Sequence, residues 1–282
     1  MNWLTEHKIP LGKWIESFVD VLTDHAGWLF DAIAVALTFL IDGFIEILQW
    51  IPPILLVGIF AAIAYGLRRS WKLTVVVVLS LLLVINLGFW EQTLETLALV
   101  LCATLFCILV GVPIGIAAAH RPWLFTAIRP ILDLMQTIPT FVYLIPTLIL
   151  FGLGVVPGLI STVIFAIPAP IRLTHLGISS VPESLIDAGE AFGATKRQLL
   201  WKVELPHAMT AIMEGLTQCI MLSLSMVVIA ALVGADGLGK PVVRALSTVN
   251  ISMGFEAGLA IVIIAILLDR ICKRGRGEGE GR

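Results

Sequence analysis

The run Gly234-Ala-Asp-Gly-Leu-Gly239-Lys240 is the part of this sequence that most resembles a phosphate-binding loop. Such a loop needs G-x4-G-K followed by Ser or Thr, because that hydroxyl contacts Mg²⁺. Position 241 is Pro, and no strand pattern precedes the run. We therefore exclude a nucleotide site here and expect no catalytic residue on this chain.

The spacing of the histidines and cysteines does not match a metal-binding motif. None of the five histidines has a carboxylate four residues away, and the four cysteines are scattered. Cys102, Cys107 and Cys219 lie inside apolar runs, so we interpret them as small apolar side chains. The histidines are His7, His25, His120, His175 and His207. The sequence therefore predicts no bound metal.

The composition is that of a membrane protein. The 282 residues are 59% hydrophobic and 13% charged, with a mean hydropathy of +1.01, whereas ordinary globular chains carry about 25% charged residues. The net charge of -2 argues against nucleic acid as a partner, since phosphate binding requires clustered positive charge. We expect the lipid bilayer to be the environment of this chain.

Seven apolar segments approach the length of about 20 residues that crosses a hydrocarbon core about 30 Å thick. They are Ile51 to Leu67, Leu73 to Trp90, Thr96 to Ala119, Pro130 to Phe151, Val156 to Leu176, Ala208 to Leu232 and Met253 to Leu268. The predicted fold is all-α, a polytopic transmembrane bundle of about seven spans plus an N-terminal amphipathic helix. Its divisions are an N-terminal tail with the amphipathic helix (1–50), a transmembrane domain (51–272) and a charged flexible tail (273–282).

Lys and Arg are distributed unequally between the loops. One set of loops and the tail carry most of them, and the opposite set has only Lys240 and Arg244. Because positive charge accumulates on the cytoplasmic side, this predicts a cytoplasmic C-terminus. It also places the loop at about 177–207 in the cytoplasm.

The segment from Trp28 to Trp50 is amphipathic. Its polar residues fall in a stripe roughly 80° wide on a helix. They are Asp31, Thr38, Asp42, Glu46 and Gln49. We favour a helix lying in the outer interface, because carboxylates are costly in lipid. The alternative is an eighth span with the acidic stripe turned inward.

The loop from Ser180 to Pro206 contains two helix-start patterns. Ser180 with Glu183 and Thr195 with Gln198 each have capping-box spacing. Gly193 separates the two predicted helices, where a left-handed backbone favours glycine. Pro206 is expected to stop the second helix. Two short helices with an apolar ridge of Leu185, Ala188, Gly189 and Phe192 suit the groove of a partner protein.

This loop resembles the EAA loop, E-A-A-x3-G-x9-I-x-L-P, of permease subunits of type I ATP-binding-cassette importers. The matching residues are Asp187, Ala188, Gly189, Gly193, Val203, Leu205 and Pro206. The departures are Asp for Glu, Gly for Ala and Val for Ile, all conservative in charge or size. Longer stretches, among them 135–146 and 254–260, are similar to the glycine betaine, proline betaine and choline branch.

The resemblance implies a function, partners and a location, which is the inner membrane of a bacterial cell. The loop would be the coupling helix that seats in a cytoplasmic ATPase subunit, two copies of which would bind ATP and Mg²⁺, leaving this chain without a cofactor. The permease would pair with a second copy, most simply as a homodimer. An external solute-binding protein, periplasmic or extracellular, would deliver choline, glycine betaine or proline betaine for osmoprotection or catabolism.

Polar groups inside apolar segments are candidates for the translocation path, with hydrogen bonding between helices as an equal alternative. They include Gln136, Thr137, Glu214 and Gln218. A quaternary ammonium cannot donate hydrogen bonds, so its path would favour aromatic faces and carbonyl groups. Phe141 and Tyr143, beside the kink predicted at Pro139 and Pro146, are then further candidates.

Three rival interpretations stay open at this point. An ion-driven secondary transporter would use Asp133 and Glu214 as coupling carboxylates, although the loop speaks against it. An ATP-driven permease for another small solute, such as an amino acid, would carry the same loop. A membrane scaffold or osmotic sensor would transport nothing.

Overall fold

The computed structural model describes residues 10–272, and within them the chain is helical with no strand. The predicted flexible tail, 273–282, lies outside the described residues. The helices are α1 Leu11–Trp50, α2 Pro53–Arg68, α3 Trp71–Asn86, α4 Trp90–Ala119, α5 Pro122–Thr137, α6 Thr140–Phe151, α7 Val155–Ala166, α8 Pro168–Ser179, α9 Glu183–Ala191, α10 Lys196–Leu199, α11 Leu205–Ala230, α12 Gly239–Ser247 and α13 Ile251–Cys272. A π-helical segment, Leu200–Glu204, joins α10 to α11.

Five helical stretches of the described chain are long and apolar enough to cross a membrane, and a bent pair makes a sixth. The five are Gly12–Trp50, Trp90–Ala119, Val155–Ser179, Lys196–Val233 and Ile251–Cys272. Each of the seven predicted segments is mostly helical. However, α2 and α3 have 16 residues each, or about 24 Å of helix, which is short of a bilayer core about 30 Å thick.

The predicted span from Pro130 to Phe151 is broken. It consists of the end of α5 and the whole of α6, which meet at an angle of 98°. Ile138 between them is extended, with ψ 131°, because the ring of Pro139 disfavours a helical conformation in the residue before it. The break therefore falls at Pro139, as predicted, whereas Pro146 lies inside α6 without ending it.

The N-terminal helix is longer than predicted and has one packed side. It begins at Leu11 and has 40 residues. Ile41 is fully buried against Cys102, Ala103 and Leu159. The whole predicted polar stripe, Asp31, Thr38, Asp42, Glu46 and Gln49, is exposed. Within the single chain the apolar side therefore makes the contacts, and because the helix is also long and apolar enough to cross a membrane, the interfacial helix and the eighth span both stay predictions.

The centre of the bundle is formed by α4, α8 and α11, which pack through small residues. A Cβ on Gly115 of α4 would lie 2.7 Å from the carbonyl oxygen of Ile171 in α8. A Cβ on Gly177 of α8 would lie 2.9 Å from the Cβ of Ala211 in α11. Glycine at these positions lets helix backbones approach closely, as is usual between helices in membranes.

The bundle has two ends with different connections. The end that carries His120 and residues 180–207 is called the coupling end below. At the opposite end, the Leu238 N–H donates to the Thr96 hydroxyl at 2.8 Å, and Lys240 pairs with Asp236. The run from Gly234 to Lys240, which partly resembles a phosphate-binding loop, is thus hydrogen-bonded to α4 through its own backbone. Its lysine forms an ion pair within the run.

Candidate functional site

Residues 183–204, called the coupling element here, form two short helices followed by the π-helical segment. Gly193 lies between the helices with φ +76°, the left-handed conformation expected for it. Thr195 begins α10 with a complete capping box. Its N–H donates to Gln198 Oε1 at 2.8 Å, and the Gln198 N–H donates to Thr195 Oγ1 at 3.4 Å. These local interactions fix the turn between the helices.

Two local predictions for this loop are wrong. Ser180 directly follows the last residue of α8 and its hydroxyl donates to the Gly177 carbonyl, whereas α9 begins at Glu183, after Pro182, without a side-chain cap. Pro206 does not stop a helix either, because it lies in the first turn of α11. The helical chain consequently runs from Lys196 to Val233.

The coupling element leaves large apolar side chains uncovered. Phe192 is 94% exposed and Trp201 is 63% exposed, and no residue of α9 is buried. Inside the element, Leu199 is buried and packs so closely that a Cβ on Gly189 would lie 2.5 Å from its Cδ2. The element is therefore packed internally, and Gly189 of the predicted ridge faces Leu199 rather than a partner. Its exposed large apolar side chains are Leu185, Phe192 and Trp201, and these three are called the apolar ridge below.

The motif residues occupy three parts of this element. Asp187, Ala188 and Gly189 lie on α9, with the first two exposed. Val203 lies in the π-helical segment, and Leu205 and Pro206 open α11. Acidic residues lie on α9, and basic residues follow Gly193. The acidic set is Glu183, Asp187 and Glu190, and the basic set is Lys196, Arg197 and Lys202.

One contact joins the element to the bundle by side chains far apart in sequence. His120 Nε2 at the end of α4 lies 2.8 Å from Glu204 Oε2. Glu204 is 8% exposed, whereas the His120 side chain is 46% exposed. Sequence reasoning missed this pair, because 84 residues separate its members.

The path candidates Gln136, Thr137, Phe141 and Tyr143 surround the break at Pro139. The Tyr143 hydroxyl reaches back across it and donates to the Met135 carbonyl at 2.7 Å. Phe141 is 57% exposed. The bend thus places an exposed aromatic side chain beside the broken helix end.

The other path candidates lie on α11. Glu214 and Gln218 are exposed one helical turn apart, and the same face continues through Met221 and Ser225. Exposing a carboxylate to lipid costs free energy. This face of α11 therefore has to be covered by something other than lipid. No hydrogen bond within residues 10–272 connects it to the four residues around the break. Nor do any three His, Cys, Asp or Glu of the described chain cluster as metal ligands.

Known proteins resemble this chain over most of its length. A family model described as "Binding-protein-dependent transport system inner membrane component" matches residues 111–272. The glycine betaine transport system permease protein OpuAB of Bacillus subtilis (strain 168) is 50% identical over 98% of this chain and 97% of its own. The glycine betaine/proline betaine permease ProW of Escherichia coli (strain K12) is 44% identical over 93% and 74%.

A third relative and a solved structure are also similar to this chain. The glycine betaine/carnitine transport permease GbuB of Listeria monocytogenes is 44% identical over 93% of this chain and 94% of its own. An inward-facing structure of the MetNI methionine ABC transporter matches with a TM-score of 0.57 and 26% identity, over 63% of this chain and 91% of that one. The predicted type I importer fold and the expectation of a permease subunit are confirmed. This chain belongs to the family of inner membrane components of binding-protein-dependent transport systems.

Proposed function

We propose that this chain is the solute-translocating subunit of an ATP-driven importer for glycine betaine and related quaternary ammonium compounds. The observation that carries the proposal is the uncovered apolar ridge on the coupling element. An amphipathic helix with its apolar side exposed is the form that seats in a partner's groove. Glycine betaine is the solute common to the names of OpuAB, ProW and GbuB.

The complete transporter would contain two copies of this chain and two ATPase subunits that hold ATP and Mg²⁺. An external binding protein would deliver the solute. The exposed polar face of α11, with Glu214 and Gln218, supports pairing of two copies, because pairing would remove it from lipid. The orientation remains the one expected from Lys and Arg, with the coupling end and the C-terminus in the cytoplasm.

The path would run between the two copies, along α11 and past the break at Pro139. A quaternary ammonium group offers no hydrogen-bond donor, so aromatic faces and carbonyl oxygens suit it. Exposed Phe141 supplies such a face. Closure of the ATPase pair would move the coupling elements and open the bundle outward, and release of the hydrolysis products would reverse the motion.

An amino acid is the second candidate solute, since the methionine transporter has the same fold. An ion-driven mechanism is disfavoured by membership in a family named for dependence on a binding protein. Selectivity would then reside mainly in that binding protein, and the permease would bind its solute weakly enough to release it.

Reconstitution into vesicles tests the proposal. We expect glycine betaine uptake only when ATP, the ATPase subunit and the binding protein are all present. A binding protein of different specificity should change the range of solutes taken up. Saturable uptake driven by an ion gradient, without ATP or binding protein, would contradict the proposal.

A further inference from the structure

The contact between His120 and Glu204 stands apart from the motif residues of the coupling loop. Glu204 occupies the last position of the π-helical segment, one residue before α11 begins. Segments of this kind are rare and occur frequently at functional sites. Burial of a carboxylate is costly unless it is hydrogen-bonded. Within the described chain, His120 is the side chain that forms a hydrogen bond with the Glu204 carboxylate.

The pair joins two elements that have different mechanical roles. On one side, Glu204 belongs to the coupling element, whose ridge is uncovered. On the other side, His120 follows directly on α4, the helix with fourteen buried residues at the centre of the bundle. The same π-helical segment continues into α11, which carries the exposed polar face. A displacement of the coupling element would therefore be transmitted to α11 through the backbone and to α4 through the contact between His120 and Glu204.

We infer that His120 and Glu204 are positioning residues that form a tie between the coupling element and α4, so that movement of the element displaces α4 and α11 together. The inference rests on the proposed ATP-driven function. Without the tie, the element moves α11 while α4 stays behind. ATP hydrolysis then continues with less solute moved for each ATP consumed.

The first measurement is the number of solute molecules imported for each ATP hydrolysed, in vesicles with the ATPase subunit and the binding protein. Glu204→Ala and His120→Ala should each lower this ratio about ten-fold, the factor that corresponds to losing one hydrogen bond to a charged group. The double variant should fall no further, because either change already removes the contact. Glu204→Gln, which keeps an acceptor for the imidazole N–H, should retain more coupling than Glu204→Ala. His25→Ala, an exposed histidine on α1 outside the pair and outside the coupling element, is the control and should leave the ratio unchanged.

The second measurement needs no transport. In a cysteine-free background, spin labels at Trp123→Cys and Lys202→Cys, both exposed at the coupling end, report the distance between the start of α5 and the coupling element. Glu204→Ala should broaden the distance distribution in the isolated permease. If the unaltered transporter shows no ATP-driven uptake, the proposed function fails while this distance still tests the tie. An unchanged ratio or an unchanged distance distribution in Glu204→Ala would overturn the inference.

Discussion

The bundle centre and the coupling element are neighbours that are built in opposite ways. In the centre, Gly115 and Gly177 let helices approach until a single Cβ would collide with the next backbone or side chain. In the coupling element, Phe192 and Trp201 face outward with little cover. The difference teaches that the first region is complete within one chain. The second region leaves large apolar side chains uncovered, as its proposed role as the docking site of another protein requires.

The largest effect is expected from filling the bundle centre. Gly115→Val would place a branched side chain where the Ile171 carbonyl lies 2.7 Å from the Cβ position. Overpacking of this kind costs about 1–3 kcal/mol or more, so the thermal unfolding temperature of the purified permease should fall clearly. Gly258→Val is the matched control, because nothing lies within 4 Å of its Cβ position. Equal unfolding temperatures for the two variants would show that the centre is not tightly packed.

A smaller effect on folding but a large one on transport is expected at Gly193. With φ +76° and no neighbour within 4 Å, the position is limited by backbone conformation rather than by space. Gly193→Val should insert into the membrane yet bind the ATPase subunit weakly and lose most uptake, because the left-handed conformation costs about 1–2 kcal/mol for such a residue. Gly193→Asn should retain more activity, since Asn tolerates this conformation. Normal uptake by a well-expressed valine variant would contradict the role of the turn.

The exposed polar face of α11 gives a test of pairing. Gln218→Cys in a cysteine-free background should be joined to a second copy by a short bifunctional thiol reagent, because two copies would bring this face together. Leu79→Cys on α3 is the control, since Leu79 is 61% exposed on an apolar surface that suits lipid. Cross-linking at position 79 but not at 218 would place the pairing surface elsewhere.

The mildest substitutions test the orientation of the chain in the membrane. Single cysteines at Ser247 and Thr195, both exposed at opposite ends of the bundle, should differ in labelling by an impermeant reagent on intact cells. We expect Ser247→Cys to react and Thr195→Cys to be protected. The reverse pattern would overturn the predicted orientation and remove the coupling element from the cytoplasm.

Local features were predictable from the sequence where they depend on a few consecutive residues. The left-handed turn at Gly193 and the capping box at Thr195 are of this kind. The cap predicted at Ser180 failed because Ser180 caps the C-terminus of α8 and the next helix begins only at Glu183. The stop predicted at Pro206 failed because proline at the start of a helix looks the same in sequence as proline after its end.

Features that depend on tertiary contacts were not predictable in the same way. The bend at Pro139 was expected, but its 98° angle could not follow from residue types. The polar stripe of α1 was recognised, yet only the packing of Ile41 against Ala103 and Leu159 decides which side faces the bundle. The contact between His120 and Glu204 has no signal in sequence spacing, because helices brought together by the fold create it.

The most direct test of whether another protein covers the coupling element is the protection of position 192 by the ATPase subunit. In a cysteine-free background, Phe192→Cys should react rapidly with a thiol reagent in the isolated permease, since the native side chain is 94% exposed. Adding the purified ATPase subunit should slow this reaction about ten-fold or more, as expected for a residue central to an interface, while Ser247→Cys at the opposite end keeps its rate. An equal rate at position 192 with and without the ATPase subunit would contradict the account.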